Sequence, residues 1–282
     1  QLHSLLGSGS QLVIVGGGFI GCEVAATMSR RGVSVTIIEP LAGPMEMALG
    51  ADISALFRKI HQAAGVRLLL GDSVAKIGDG RGSLVIQTKN EQLLECDVML
   101  LCVGLEPRTE LLANSTVKLD RGVCVNSRCQ SSMETIYAAG DVAHFDHPII
   151  GEPIRVEHHD NALAQGAIAG RNMAGEALEY CAVPWVWSDQ YEHNLQCTGF
   201  PRQATHAVVR GDLETNSFCK FLLRDDTLVG AVGLNRGRDI IAARRMIARG
   251  ARVNLEALVD ENQSLKQAII VETLPGKVAA KA

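Results

Sequence analysis

None of the eight cysteines, at positions 22, 96, 102, 124, 129, 181, 197 and 219, is paired at C-x-x-C spacing. That excludes the usual redox dithiol and the usual zinc knuckle. Scattered thiols in a chain of this size read as small buried apolar residues in a reducing compartment, so the cytoplasm is the expected location. No apolar run approaches the roughly 18 residues of a membrane span; Val98–Val103 is among the longest. The opening QLHSLLGSGS lacks the basic-then-apolar pattern of a signal peptide and lacks an initiating Met, and the chain is expected to begin inside a larger protein. There is no basic excess either. The net charge of −4 argues against a nucleic-acid binder. Internal repeats and low-complexity tracts are also missing.

What is present is ordinary globular material: 282 residues, 47% hydrophobic and 21% charged, enough for one to three domains. Charge is uneven along it. Residues 183–282 carry 13 Lys+Arg against 11 Asp+Glu, whereas residues 1–182 carry 14 against 20, a slightly basic tail that would suit an acidic protein partner.

The front reads as a β–α–β unit: strand Gln11–Val15, a glycine turn, a helix running to Arg31, and a second β-branched strand, Val33–Glu39. A helix over about 51–64 and a strand at 66–70 follow, then short strands near 73–77, 83–87 and 92–95 and the run Cys96–Gly104. This is the pattern of an α/β nucleotide-binding domain with a β-meander inserted. A strand at 122–126, a strand-like run Ile136–Ala139 and a helix over 161–173 come next. Strands near 193–199, 205–211, 217–223 and 228–233, closed by an Arg-rich helix, form a separate α+β unit.

Gly16, Gly18 and Gly21 spell G-x-G-x-x-G between a strand and a helix. The first glycine makes the tight turn, the second lets the backbone approach a pyrophosphate, and the third lets helix and strand pack closely. The phosphates then meet the free N–H groups of the helix start. Glu39, 18 residues beyond Gly21, is placed to accept from a ribose 2′-hydroxyl and to repel a 2′-phosphate, which favours NAD(H) over NADP(H). On this motif alone the ligand could still be FAD. Further on, TIYAAGD ends an apolar run on Asp141, an acid that a ligand hydroxyl, a helix N-terminus or plain solvent would satisfy.

VIVGGGFIGCEVA, LLCVGLEPRTELL, TIYAAGDVA, VEHHDNALAQG and VPWVWSDQY occur in that order. Together they resemble the FAD-dependent NADH:ferredoxin reductases that serve aromatic-ring dioxygenases and bacterial cytochromes P450, with rubredoxin reductases and apoptosis-inducing factor as relatives. The resemblance runs from about residue 1 to 270. It implies a Rossmann-like NAD(H)-binding domain at 10–114, the second half of an FAD-binding domain at 115–182, and an α+β C-terminal interface domain at 183–282. The family's earlier glycine fingerprint, which holds the ADP half of FAD, has no counterpart here. QLHSLLGSGS resembles the linker that would join that half.

Several residue roles follow from the resemblance. Asp141 would bond the FAD ribitol chain, with Gly140 allowing close approach. Glu23 would lie near the nicotinamide; its bland role is a first-turn acid favoured by the helix dipole. Gly104, in a loop stiffened by Pro107, would pass between the cofactors or simply turn the chain. Glu157, His158 and His159 would lie against the flavin ring; adjacent histidines without a third ligand do not make a zinc site. Trp187 would sit close to the isoalloxazine, with burial in the core as the other reading for it and Trp185. Arg236, Arg238, Arg244, Arg245 and Arg249 form either a solvated helix face or a docking surface for an acidic ferredoxin or rubredoxin.

The expected activity is hydride transfer from NADH to FAD, then single electrons to the iron–sulfur partner. No side-chain acid or nucleophile need carry it, because the protein positions and tunes the cofactors. Other readings are an NADH oxidase, a nitrite-reductase-type flavoprotein, a redox-responsive interaction protein resembling apoptosis-inducing factor, or a catalytically inactive piece of the reductase. One departure stands out: Pro40–Gly50 holds no Lys or Arg for the dinucleotide.

Overall fold

A computed structural model describes residues 2–80 and 82–273. The end of the expected C-terminal domain, 274–282, lies outside the described residues, as does the first residue of the expected linker. The chain divides into two compact units, Gln1–Gly104 with Ser188–His193, and Leu105–Trp187 with Asn194–Ala282.

The first unit begins with a short helix α1 (Leu2–Leu5) and then alternates: β1 (Gln11–Val15), α2 (Phe19–Ser29), β2 (Ser34–Glu39), α3 (Glu46–Leu49), α4 (Ala51–Ala63) and β3 (Arg67–Leu70). The meander β4 (Val74–Asp79), β5 (Leu84–Thr88) and β6 (Leu93–Cys96) precedes β7 (Val98–Leu101). A parallel sheet runs in the order β3-β2-β1-β7, and the meander forms its own three-stranded antiparallel sheet. β1 sits in the middle, paired parallel from Gln11↔Ser34 to Val15↔Ile38 on one side and from Leu12↔Val98 to Val15↔Leu101 on the other. Its centre, Leu12–Ile14, is buried on both faces, which is why it reads as an unbroken apolar run instead of alternating. Leu12, Ile14, Val35 and Ile37 pack with Ala25 and Met28 of α2 in one core. The small residues of α2 let it lie close to the strands.

In the second unit β8 (Val123–Val125), β9 (Ala143–His147) and β10 (Glu152–Ile154) form a small sheet, followed by α5 (His159–Met173). One face of α5 is polar yet buried: Asn161, Gln165 and Asn172 are each at most 5% exposed. Each amide has backbone to serve. Asn161 donates to Val156 O at 2.9 Å and accepts from the Tyr180 hydroxyl at 2.7 Å, and Asn172 donates to Arg128 O and Leu178 O. Such pairing is what makes most buried polar side chains tolerable.

The strand expected at Ile136–Ala139 is not one. Its only ladder contact is a single bridge, Gln130↔Tyr137. Its N–H groups turn to a neighbouring loop, Ile136 to Met133 O and Ala138 to Cys129 O. Asp141, in the short 3-10 turn Gly140–Val142 that follows, is exposed. No buried strand ends in an acid here.

The remaining elements are β11 (Trp185–Gln190), β12 (His193–Gly199), β13 (His206–Asp212), β14 (Ser217–Arg224), β15 (Thr227–Leu234), α6 (Gly237–Ala248), β16 (Ala251–Val253), α7 (Leu255–Val259) and β17 (Ile269–Glu272). The strands form one sheet ordered β11-β12-β15-β14-β13, extended by β16 and β17. Ile240, Ala243 and Ile247 of α6 cover it, against Phe221, Leu223 and Ala231.

Candidate functional site: a glycine loop and a second glycine turn

Two of the three fingerprint glycines are sterically required, each for its own reason. Gly16 has φ +101°, and a β-carbon there would lie 2.3 Å from Cys102 O. A β-carbon on Gly21 would lie 2.1 Å from Gly16 O, so α2 can pack on the loop only without one. Gly18 is different: it is extended, with φ −74° and ψ −172°, and nothing lies within 4 Å of where its β-carbon would be. The protein itself does not need glycine at 18. A ligand backed against the start of α2 would, since the N–H groups of a helix's first turn have no partners inside the helix.

Glu39 is 92% buried and holds the loop in place: one carboxylate oxygen accepts from Gly17 N at 2.6 Å, the other from Leu41 N at 2.9 Å. Each oxygen retains acceptor capacity, so this tethering leaves room for a hydroxyl. Beside the loop, Cys22 donates to Gly17 O at 3.3 Å, and burial pushes its thiol far above the ordinary range. It is a packing residue and no nucleophile. Glu23, one residue on and half-buried, accepts from the Ser188 hydroxyl at 2.6 Å. Gly104 has φ +111° in an exposed, irregular stretch with open space around it.

In the second unit Gly140 has φ +75°, and a β-carbon there would meet that of Ala162 at 3.2 Å, so its glycine also seats α5. Its N–H donates to Gln165 Oε1 at 2.9 Å. The exposed Asp141 therefore stands beside the first turn of a 15-residue helix. Burial lowers the pKa of His158, the residue before that helix, against the pull of the Asp141 and Asp160 charges, and its Nδ1 is buried with no partner. Gln165 Nε2 is likewise buried and unpartnered. Glu157 is turned onto Arg155 at 2.8 Å. His159 meets Trp187 edge-on at 5.9 Å, and Trp187 stacks on Trp185 at 4.9 Å. Trp187 is 38% exposed, whereas Trp185 lies under the Arg244 guanidinium and donates to Gln196.

The arginines divide. Arg236 pairs with Glu261, Arg244 with Asp160, Arg249 with Glu272 and Arg252 with Asp226. Arg238 and Arg245 are exposed on α6 with no ion pair among the described residues. The basic surface is thus narrower than the run of arginines implied. Gln165, Ser188 and Gln190 belong to no fingerprint. Their only signal was membership of the quoted stretches VEHHDNALAQG and VPWVWSDQY.

A parallel sheet with a glycine loop between β1 and α2 and an acid at the end of β2 is the arrangement of a dinucleotide-binding fold. The profile of the pyridine nucleotide-disulphide oxidoreductase family matches residues 2–166, and that of the reductase C-terminal domain matches residues 185–269. The chain belongs to the pyridine nucleotide-disulphide oxidoreductase family. It is 35% identical over 266 residues to the ferredoxin–NAD(+) reductase component of the anthranilate 1,2-dioxygenase system of Burkholderia cepacia, covering 94% of this chain and 66% of that protein. Rhodocoxin reductase of Rhodococcus erythropolis is 34% identical over 271 residues, covering 95% and 63%. The chain thus spans just under two thirds of these relatives' length. Among solved structures, the covalent putidaredoxin reductase–putidaredoxin complex superposes with TM-score 0.88 at 29% identity, over 94% of this chain and 64% of the other. The ferredoxin reductase of the CYP199A2 system from Rhodopseudomonas palustris gives 0.86 at 30%, over 92% and 65%.

Proposed function

We propose that the chain is part of an NADH-dependent flavoprotein reductase that delivers electrons to a ferredoxin or rubredoxin serving an oxygenase. The observation that carries this reading is the empty space over Gly18 in a loop whose other glycines are sterically required. The similarity to two ferredoxin-type reductases over more than nine tenths of the chain supports it.

In this reading Gly16, Gly18 and Gly21 cradle the NADH pyrophosphate at the start of α2, and Glu39 accepts from the adenosine ribose while disfavouring a 2′-phosphate. Glu23 faces the nicotinamide end, and Gly104 lies on the path between the cofactors. The residues of the second unit fit FAD: an exposed Asp141 for hydroxyls, the unpartnered His158 Nδ1 and Gln165 Nε2, and the partly bare Trp187 with His159 for a flat ring. A bound flavin supplies the change from a two-electron input to one-electron output. The chain's own work is to orient the dinucleotide, keep water from it and exclude NADPH.

The domain limits 10–114, 115–182 and 183–282 and a cytoplasmic setting belong to the same reading. Eight free thiols, five of them buried, support the setting. Among the described residues no helix is long and apolar enough to cross a membrane. For the partner, Arg238 and Arg245 are the charges left available to an acidic surface.

The test is calorimetric titration of the purified chain with NADH and NADPH, with a visible spectrum of the same sample. NADH binding at least about tenfold tighter than NADPH is expected, a difference of about 1.4 kcal/mol. No binding of either nucleotide would refute the reading. A flavin spectrum would show that the second unit retains FAD in this chain. A colourless chain that binds NADH would assign it the dinucleotide half of the task alone.

A further inference from the structure

Residues 188–193 group with the dinucleotide-binding unit and put a continuous line of side chains behind Glu23. The Ser188 hydroxyl donates to Glu23 Oε1 at 2.6 Å, and Gln190 Nε2 donates to the Ser188 oxygen at 3.0 Å. Gln190 Oε1 lies 3.0 Å from His61 Nε2, and His61 Nδ1 lies 2.9 Å from the Tyr191 hydroxyl. Ser188, Gln190 and His61 are each at most 1% exposed, so water offers them little.

The direction of every proton in this line is forced. An ionised carboxylate only accepts, so Ser188 must donate to Glu23 and must itself accept from Gln190. The amide oxygen of Gln190 then faces His61, which has to carry its proton on Nε2. That leaves Nδ1 as an acceptor for the Tyr191 hydroxyl. Burial lowers the His61 pKa to about 4, so the ring is neutral at pH 7 and has one proton to place. All the donors point the same way, toward Glu23, and hydrogen bonds aligned in series strengthen one another. The other end is tied down as well: the Arg30 guanidinium lies over the Tyr191 ring at 5.6 Å and pairs with Glu192 at 3.2 Å.

We propose that Ser188 is a positioning residue for Glu23, fixing the direction of its carboxylate through the line Tyr191–His61–Gln190–Ser188, and so sets how tightly the nicotinamide half of the dinucleotide is held. This rests on the assignment of Glu23 to the nicotinamide end. A free carboxylate on a half-buried glutamate samples several rotamers; one held from behind presents its second oxygen, Oε2, in one place. The preorganised acceptor then suits a carboxamide N–H on the incoming ring without losing side-chain freedom at the moment of binding.

ADP-ribose carries every part of NADH except the nicotinamide, so the ratio of the two affinities isolates the effect. The experiment is calorimetric titration of the full chain and its variants with both compounds. Wild type is expected to bind NADH more tightly than ADP-ribose. Glu23→Gln and Ser188→Ala should each reduce that ratio about tenfold, as for loss of a hydrogen bond to a charged group. ADP-ribose affinity should be unchanged in both. The double variant should be no worse than either single one, and Ser188→Thr, which keeps the hydroxyl, should restore the ratio. If Glu23→Gln lowers the ratio and Ser188→Ala does not, the positioning role is overturned. If Ser188→Ala weakens both ligands equally, its role is merely structural and the inference also falls. If Glu23→Gln leaves the ratio at the wild-type value, it is the placement of Glu23 that fails, and this inference with it.

Discussion

Gly18→Ala separates what the fold needs from what the ligand needs. Its backbone, φ −74° and ψ −172°, is open to any residue, and the added methyl meets nothing within 4 Å. Folding stability should therefore change by no more than about 0.5 kcal/mol, the usual range for an unencumbered surface change. Gly21→Ala adds the same methyl 2.1 Å from Gly16 O, about 1 Å inside tolerable contact, and forces α2 away from its strands at a cost of about 1–3 kcal/mol. Gly16→Ala has the 2.3 Å clash with Cys102 O and the positive φ of +101° besides, for a total of about 3 kcal/mol or more. At roughly 4–8 °C per kcal/mol for a unit of about 100 residues, Gly16→Ala should lower Tm by more than about 10 °C, and Gly18→Ala by no more than about 4 °C. Binding should show a different order. Gly18→Ala puts a methyl where the pyrophosphate is to approach, and NADH affinity should fall tenfold or more, about 1.4 kcal/mol. Differential scanning fluorimetry and calorimetric titration read the two quantities on the same samples. A Gly18→Ala protein that melts like wild type and binds NADH like wild type would refute the assignment of the loop. One that melts as low as Gly16→Ala would refute the steric account.

Further outcomes follow from other parts of the molecule. His61 has a folded pKa of about 4 against an ordinary 6.5, so between those values the unfolded chain binds the extra proton and stability rises with pH; it should fall by about 3 kcal/mol from pH 7 to pH 4 on this account, and urea midpoints should show a shallower loss in His61→Gln. Glu39→Ala leaves the Gly17 and Leu41 N–H groups without their acceptor and should cost about 1–3 kcal/mol, while narrowing the preference for NADH over NADPH in titrations with both. Asp141 is exposed, so Asp141→Asn should leave Tm within about 2 °C; a large drop would mean the carboxylate is structural. Charge reversal at Arg238 and Arg245 together should slow association with an acidic ferredoxin about tenfold at low salt, an effect that should shrink as ionic strength rises in stopped-flow traces. The paired Arg249 should matter less.

Much of this protein was legible along the chain because its determinants are local. The β–α–β unit announces itself in a buried apolar strand, three glycines at fixed spacing and a helix of small residues, and each of these acts on neighbours within some twenty positions. Glu39 at the end of the second strand belongs with them. In the C-terminal unit β12 was readable for the same reason, its near-alternation of buried and half-buried residues. What tertiary structure alone decided is every feature that depends on partners far away in sequence. Asp141 looked like a costly acid on a buried strand, but the run before it gives its N–H groups to a loop, and the carboxylate stands in solvent. The arginines looked like one basic surface until Asp160, Glu261 and Glu272 were found beside three of the five singled out for docking. Ser188 was one letter of a motif until folding brought it, across 165 positions, to Glu23. Periodicity records which face of an element is buried. It holds no record of which distant side chain arrives there, because a hydrogen bond or ion pair depends on the three-dimensional path of the whole chain between its two ends.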